Sequence, residues 1–143
     1  MLLFRSAECG IEGLSHITFI VRDLDRMTDL LTTIFNAEEV YASGNKTFSI
    51  SSEKFFLIGQ IWIVIMQGNP LLDRTYNHVA FKIAEQDFED YAARIKSAGV
   101  DVKVSRSRVE GEGRSLYFYD DDNHLFEIHT GTLAQRLERY DDR

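Results

Sequence analysis

Two short stretches of the sequence, Leu14-Ser15-His16-Ile17-Thr18-Phe19 and Tyr76-Asn77-His78-Val79-Ala80-Phe81, share a histidine, a β-branched residue, a variable residue and a phenylalanine in the same order. Apolar and polar side chains alternate along each stretch, which is typical of a β-strand with one buried face. The two histidines lie 62 residues apart, and the single proline, Pro70, stands between the two stretches. The pattern predicts that the chain contains two copies of one folding module.

The residues that follow each predicted strand also repeat. Asp23-Leu24-Asp25 and Glu85-Gln86-Asp87 are acidic helix starts, and apolar residues at helical spacing come after them. Asn36 and Gly99 are residue types that end a helix. β-rich runs then follow at 38–42, 46–51 and 54–66, the last split at Gly59-Gln60, and again at 100–105, 115–119 and 124–130. The sequence therefore predicts two βαβββ modules of the α+β class, with eight strands.

The repeat also divides the chain into segments. We align Phe55 with Phe118 and Gly68 with Gly131, so that the second copy gains one residue. Leu133 and Leu137 lie four residues apart, as in a short amphipathic helix. We expect one domain made of a loose leader at 1–10, a first module at 11–68, a linker at 69–75, a second module at 76–131, and a C-terminal helix and tail at 132–143.

Composition excludes several classes of function. The 143 residues are 44% hydrophobic, as a folded core requires, and 16 basic against 23 acidic side chains give a net charge of -7. This charge argues against a nucleic-acid-binding surface or a polybasic membrane contact. The longest apolar run is too short to span a bilayer, and the first residues do not resemble a secretory signal. With Cys9 as its one cysteine, the chain is expected to be a cytoplasmic protein.

Polar side chains gather on one face of the predicted sheet. Strand alternation places His16, His78 and Glu127 on the face opposite the helices. Two histidines and a carboxylate suit a divalent ion with open coordination positions, such as manganese, iron, nickel or zinc. A structural role for each histidine is the alternative, although the repeat matches Glu127 with Val64 and so leaves a carboxylate on one side only.

Three further polar residues carry less specific signals. Glu53 lies at the start of an apolar strand, where it is either a solvated strand end or a functional carboxylate. His124 lies in a predicted turn and is interpreted as structural. His129 shares the face of Glu127 but lies farther along the strand, which favours support of the ligand set or packing over ligation.

Three arginines, Arg106, Arg108 and Arg114, flank a glycine-rich loop. Guanidinium groups and the backbone amides of such a loop both bind phosphate-like oxygens, so the loop is a candidate rim for an anionic ligand. A solvated loop is the alternative. The loop does not match a phosphate-binding P-loop, because no Gly-Lys-Ser/Thr follows.

Four segments carry a resemblance to a known family: GLSHITFIVRDLDRMT at 13–28, EKFFLIG at 53–59, YNHVAFKI at 76–83 and RVEGEGRSLYFYDDDNHLFEIHTGTL at 108–133. Together with the paired modules, they resemble the vicinal oxygen chelate superfamily and, within it, the fosfomycin-resistance proteins. The glutamate at position 53 followed by KFF resembles the metal-dependent epoxide hydrolase branch rather than the branch that transfers glutathione or another thiol.

This resemblance implies a set of roles. His16, His78 and Glu127 would ligate the metal, with manganese as the expected ion, and Glu53 would be the general base. The substrate would be fosfomycin, a small phosphonate with an epoxide, which reacts with water to give a diol. The substrate-binding residues implied are Thr18, Ser115, Tyr117, Arg136, Arg108 and Arg114.

The resemblance further implies a homodimer in which strand exchange completes a cupped, mixed eight-stranded sheet. His16 would then come from one chain, and His78 and Glu127 from the other. Two alternatives of the same fold are a thiol transferase acting on fosfomycin and a non-catalytic small-molecule-binding protein. Glu53 argues against the first alternative, and the three ligands argue against the second.

Overall fold

A computed structural model of the chain describes residues 9–103 and 113–141. The first half contains β1 (His16–Val21), α1 (Leu24–Phe35), β2 (Glu38–Ala42), β3 (Glu53–Ile58) and β4 (Ile61–Gln67). The second half contains β5 (His78–Lys82), a 3-10 turn (Glu85–Asp87), α2 (Phe88–Ser97), β6 (Asp101–Lys103), β7 (Ser115–Tyr119), β8 (Leu125–His129) and α3 (Leu133–Asp141). No helix within the described ranges is both long enough and apolar enough to cross a membrane.

The strands form two four-stranded mixed sheets. Sheet A has the order β1-β4-β3-β2, and sheet B has the matching order β5-β8-β7-β6. In each sheet the first and last strands in sequence pair in parallel, and the other neighbours pair antiparallel. The α+β class and the two βαβββ modules are therefore confirmed. Within one chain the eight strands are divided between two sheets, and β1 and β5 are edge strands.

One predicted β-rich run, 46–51, is not a strand. Ala42 pairs with Lys54 across β2 and β3, so the residues between them form the connection of a hairpin and extend beyond the neighbouring strands. Gly44 adopts a left-handed conformation, and the Lys46 N–H donates to the Ser43 carbonyl in a turn. The alternation of polar and apolar residues in this run was misleading, because no strand lies beside it.

The strand register corrects the internal alignment by one residue. Phe56, not Phe55, lies opposite Ile63 in sheet A, just as Phe118 lies opposite Phe126 in sheet B. Phe56 and Phe118 are both fully buried. The additional residue of the second module therefore lies in the turn between β7 and β8, and the residue equivalent to Glu53 is Ser115.

Local signals explain where the helices begin and end. The Asp23 side chain accepts a hydrogen bond from the Arg26 N–H and caps α1, which ends at Asn36 in a left-handed conformation. Gly99, just beyond α2, has a positive φ of 74°. The predicted C-terminal helix is present as α3. The helix boundaries thus follow the capping residues of the sequence.

The two modules share one hydrophobic core. The buried cluster is continuous between them, with Phe35 packed 4.8 Å from Phe81 and Phe19 packed 5.2 Å from Phe126 between ring centroids. The Arg22 backbone N–H and Nε both donate to the Asp122 carboxylate, which ties β1 to the β7–β8 turn. The helices and this core cover one face of each sheet, and we call the opposite face the open face.

Candidate metal and substrate site

The open face of sheet B brings together two of the three predicted metal ligands. His78 begins β5, and Glu127 is central in β8 two register positions further on, beside Ala80. His78 Nε2 lies 3.0 Å from Glu127 Oε1. The Glu127 side chain is almost completely buried, whereas that of His78 is 25% exposed. A buried carboxylate and an accessible imidazole therefore meet at one point.

Hydrogen bonding shows which groups face each other at this point. His78 Nδ1 lies 2.7 Å from the backbone carbonyl of Tyr76, which can only accept, so Nδ1 carries the proton. In the neutral imidazole, Nε2 then carries the lone pair and faces the carboxylate of Glu127, which is also an acceptor. Two converging acceptors are the arrangement that a divalent cation satisfies, and a carbonyl-fixed imidazole is the usual support of a metal-binding histidine. The donor chemistry therefore fits a metal ion.

His16 lies on the other sheet. It begins edge strand β1, its Nδ1 is 2.9 Å from Ser15 Oγ, and its ring packs 4.4 Å from the Trp62 ring. Among the described residues of one chain, no three His, Cys, Asp or Glu side chains converge as a metal site. One chain thus assembles the pair of His78 and Glu127, and it places His16 elsewhere.

Glu53 begins β3 on the open face of sheet A, on the same side as His16 and Thr18 by strand alternation. It is only 7% exposed. Its backbone N–H donates to Ser43 Oγ at 2.9 Å, and its carbonyl accepts from the Ser43 N–H at 3.0 Å. Within the described ranges its carboxylate has no hydrogen bond or ion pair, and it lines a cavity of about 390 Å³ with Ser43 and Gln67. Glu53 is therefore not a solvated strand end.

Ser115 begins β7 and is 6% exposed. Its hydroxyl lies 2.6 Å from Glu127 Oε2 and 2.7 Å from His129 Nδ1. Arg136 on α3 has its Nη2 3.4 Å from His129 Nε2. Of the predicted substrate-binding residues, Ser115 therefore contacts Glu127 directly, and Arg136 reaches the same face through His129.

Two other predicted substrate residues lie on the open faces. Tyr117 is opposite Glu127 in the register, and its ring stands edge-on to His78 at 5.4 Å. Thr18 is exposed on β1, opposite Val64. Tyr117 thus belongs to the face of the ligand pair, and Thr18 belongs to the face of His16 and Glu53.

Of the three loop arginines, Arg114 lies within the described residues. Arg106 and Arg108 lie outside the described residues. Arg114 Nη2 is 2.6 Å from Glu89 Oε1, and its guanidinium lies over the Phe88 ring. The hydrogen bond to Glu89 raises the pKa of the Arg114 guanidinium above its ordinary value. These contacts hold Arg114 at the start of α2, on the helix side of sheet B, and away from the site.

His124 has the structural role expected from the sequence. Its Nδ1 is 2.8 Å from Asp120 Oδ2, and Asp120 Oδ1 accepts the backbone N–H groups of Asp122 and His124. The His124 ring also packs edge-on against Phe19 at 5.1 Å. The histidine thereby closes the β7–β8 turn.

Sequence reasoning missed two aromatic residues of the site. Tyr76 holds His78 through its carbonyl, and its hydroxyl lies 3.1 Å from that of Tyr117. The sequence did contain one signal for Tyr76, because the equivalent residue of the first copy is the apolar Leu14. Trp62 packs against His16 with the two rings tilted by 38°, and its buried indole N–H has no hydrogen-bond partner among the described residues. Its place within an apolar strand gave no signal.

Comparison with known proteins is consistent with this geometry. The family model described as the Glyoxalase/Bleomycin resistance protein/Dioxygenase superfamily matches residues 13–128. The chain is 64% identical to the fosfomycin resistance protein FosX of Mesorhizobium japonicum over 90% of this chain and 93% of that protein. It is 62% identical to FosX of Listeria monocytogenes over 91% of this chain and 98% of that protein.

Other relatives are more distant, and solved structures match as well. The metallothiol transferase FosB of Shouchella clausii is 37% identical over 92% of this chain and 88% of that protein. A mutant of Listeria monocytogenes FosX, complexed with Mn(II) and 1S,2S-dihydroxypropylphosphonic acid, superposes with a TM-score of 0.83 at 59% identity, covering 91% of this chain and 98% of that one. The chain belongs to the glyoxalase/bleomycin resistance protein/dioxygenase superfamily.

Proposed function

We propose that this protein is a manganese-dependent epoxide hydrolase that adds water to fosfomycin and so confers resistance to it. The observation that carries the proposal is Glu53, a buried carboxylate without a partner in the described residues, on the open face that also holds His16. The proposal is supported by the relatives named FosX and by the diol phosphonate bound to one of them together with Mn(II). A propyl phosphonate with two adjacent hydroxyls is the product of water addition to the matching epoxide.

His78 and Glu127 would hold the ion together with a second histidine, His16. Once bound, a divalent metal supplies Lewis-acid stabilisation of the oxygen that becomes negative as the epoxide opens. The protein's own contribution is the fixed tautomer of His78, set by the Tyr76 carbonyl, and the buried carboxylate of Glu127.

Glu53 would act as the base. It takes a proton from a water molecule, the water oxygen forms a bond to one epoxide carbon, and the carbon–oxygen bond of the ring breaks. The ring oxygen then takes up a proton and Glu53 releases the one that it accepted, which completes the diol and restores the base. General-base catalysis of this kind contributes about 10² to 10⁴ in rate. Relief of ring strain supplies driving force, so accurate placement of the water is the main task of the site.

Arg136, Thr18 and Tyr117 would bind the phosphonate and the epoxide oxygen. Among the described residues, Arg136 is a cation that contacts His129 on the face of the proposed ligand pair, and a guanidinium can bind two phosphonate oxygens at once. Its position offsets substrate charge in a chain with a net charge of -7. Arg114, which is engaged with Glu89, is left out of this proposed set, and Ser115 is assigned to the support of Glu127.

The active form is proposed to be a homodimer. The edge strands β1 and β5 each begin with a proposed ligand histidine, and in the described part of the chain each has one side with no strand beside it. Pairing of β1 in one copy with β5 in another would join sheets A and B into one eight-stranded sheet. It would also bring His16 toward His78 of the partner subunit. The single cysteine further favours the cytoplasm as the site of action.

Phosphorus NMR of fosfomycin tests the proposed reaction. With purified protein and Mn²⁺ but no thiol, the fosfomycin signal is expected to be replaced by that of the diol phosphonate. In ¹⁸O-labelled water the product should carry one labelled oxygen. Conversion only after addition of glutathione or another thiol would replace the hydrolase by a thiol transferase. Fosfomycin that binds but never changes would indicate a sequestering protein.

A further inference from the structure

A chain of hydrogen bonds leads from Glu127 to Arg136. The Glu127 carboxylate only accepts, so the Ser115 hydroxyl uses its one hydrogen in the 2.6 Å contact to Glu127 Oε2. The 2.7 Å contact of Ser115 Oγ with His129 Nδ1 then requires the hydrogen on Nδ1. His129 is therefore the donor to Ser115.

The other nitrogen of His129 completes the chain. With the hydrogen on Nδ1, Nε2 carries a lone pair, and it lies 3.4 Å from Arg136 Nη2, which can only donate. The His129 side chain is 14% exposed, so these contacts are mostly shielded from water. Among the described residues, Nδ1 thus donates to Ser115 and also lies 3.5 Å from Glu127 Oε2, and Nε2 accepts from Arg136.

The first module shows that the fold does not require a histidine here. Ser115 pairs with His129 in sheet B, and the equivalent pair in sheet A is Glu53 with Met66. Met66 is 7% exposed, so an apolar side chain packs at the same position of the same fold. The polar chain in sheet B is therefore an addition to the structural framework.

We propose that His129 is a positioning residue that couples the anion-binding guanidinium of Arg136 to the metal-binding carboxylate of Glu127. Through Nε2 it holds the Arg136 guanidinium over the open face of sheet B. Through Nδ1 and Ser115 it fixes the rotamer of Glu127. The inference rests on the proposed function, because Arg136 is taken to bind phosphonate and Glu127 to bind metal.

Three variants of His129 separate its two contacts. Methionine, the residue at the equivalent position, removes both contacts while keeping an apolar packing partner. Asparagine places an amide N–H near the position of Nδ1 and is too short to reach Arg136. Glutamine places an amide oxygen near the position of Nε2, where it can accept from Arg136. The three variants thus remove both contacts, keep the Ser115 contact, or keep the Arg136 contact.

Two readouts are measured for each variant. Mn²⁺ affinity is followed by electron paramagnetic resonance without substrate, and the KM for fosfomycin is measured at saturating Mn²⁺. His129→Met is expected to weaken Mn²⁺ binding by about 10- to 100-fold, the range for residues that support metal ligands, and to raise the KM. His129→Asn should restore Mn²⁺ affinity, whereas His129→Gln should restore the KM.

Wild-type values of both readouts in His129→Met would overturn the proposal. Equal losses in all three variants, accompanied by a lower Tm, would also overturn it, because they would indicate a purely structural role. Binding of inorganic phosphate to each variant is measured in parallel as a substitute for the KM. The coupling is therefore tested even if the wild-type protein does not hydrate fosfomycin, which would refute the proposed function by itself.

Discussion

The open faces of the two sheets have the same strand order and register but differ in the side chains that they carry. On both faces the first residue of the edge strand is a histidine, at positions 16 and 78. Beyond that row they diverge: the residues of sheet A and their equivalents in sheet B are Thr18 and Ala80, Val64 and Glu127, Met66 and His129, and Glu53 and Ser115.

The difference between the faces separates two chemical tasks. Each face has a histidine at the start of its edge strand and one buried carboxylate among the described residues, but the carboxylates lie at different positions of the two sheets. Glu127 is central and close to the histidine of its own sheet, where it can hold a metal. Glu53 is at the end of its strand, away from the His16 row, and its carboxylate has no partner among the described residues. In the proposed function, one module thus carries two of the three metal ligands, and the other carries the base.

Removal of the carboxylate of sheet B should have the largest effect. Glu127→Val installs the residue found at the equivalent position of sheet A, where Val64 is buried. Because a metal ligand is lost, Mn²⁺ affinity should fall by more than the roughly 100-fold upper range for supporting residues, and turnover should reach background. Isothermal titration with Mn²⁺ measures the first effect. A variant that folds and binds Mn²⁺ as wild type would show that Glu127 is not a ligand.

Removal of the carboxylate of sheet A should affect rate and leave the metal in place. Glu53→Gln keeps the shape of the side chain but removes the proton acceptor, so kcat should fall by about 10² to 10⁴. Mn²⁺ affinity should not change. Glu39→Gln on neighbouring strand β2 is the matched control, since its exposed ion pair with Lys54 should contribute little to stability and nothing to turnover. Equal rates for Glu53→Gln and wild type would remove Glu53 as the base.

A glycine that precedes β7 should matter more for stability than one in the equivalent hairpin of the first module. Gly113 has a φ of 85°, and an added Cβ would lie 2.5 Å from the backbone nitrogen of Gly131. Gly44 has a φ of 59°, but a Cβ there meets nothing within 4 Å. Gly113→Ala should lower the free energy of unfolding by about 1–3 kcal/mol. Gly44→Ala should lower it by about 1 kcal/mol. Equal denaturant midpoints for the two variants would contradict the crowding at Gly113.

The smallest predicted effect concerns the ion pair of Asp101 with Arg74, which has no counterpart at Glu38 among the described residues. Hydrogen bonds from Arg74 and then Lys103 lower the pKa of Asp101 below its ordinary value of 3.8. The equivalent residue of the first module is Glu38, opposite Leu57 as Asp101 is opposite Tyr119. A lowered pKa stabilises the fold above pH 3.8, and this contribution disappears as the pH falls through the lowered value.

Asp101→Asn should therefore lower the Tm slightly at neutral pH, and the difference from wild type should vanish in acid and shrink in high salt. Glu38→Gln is the control and should leave the pH dependence of the Tm unchanged. Thermal unfolding between about pH 2 and pH 7 measures both variants. A Tm difference for Asp101→Asn that persists at the acid end would contradict the lowered pKa.

Much of the fold could be predicted because local signals repeat. Strand alternation predicted the strands that begin at His16 and His78. The cap at Asp23 and the stop at Asn36 predicted the start and end of α1. None of these predictions needed tertiary information. The run at 46–51 could not be predicted correctly, because its alternation is local, whereas a strand requires a neighbour that only the folded sheet provides.

The site was predictable in its residue types and less so in its contacts. Alternation placed His78 and Glu127 on one face, and the structure brings them to 3.0 Å. The burial of Glu53 depends on its hairpin partner Ser43, which no spacing rule connects to it. The ion pair of Arg114 with Glu89 depends on how α2 packs. The position of the arginine beside a glycine-rich loop therefore could not predict where its side chain points.

The most direct test of the account is whether two inactive variants restore each other. If His16 of one chain completes the site formed by His78 and Glu127 of the partner subunit, His16→Ala and His78→Ala homodimers should each be inactive. After subunit exchange, verified by native mass spectrometry, about a quarter of the wild-type activity should return, because half of the dimers are mixed and each mixed dimer has one intact site. No recovery in a sample that contains mixed dimers would contradict a metal centre shared between two copies of the chain.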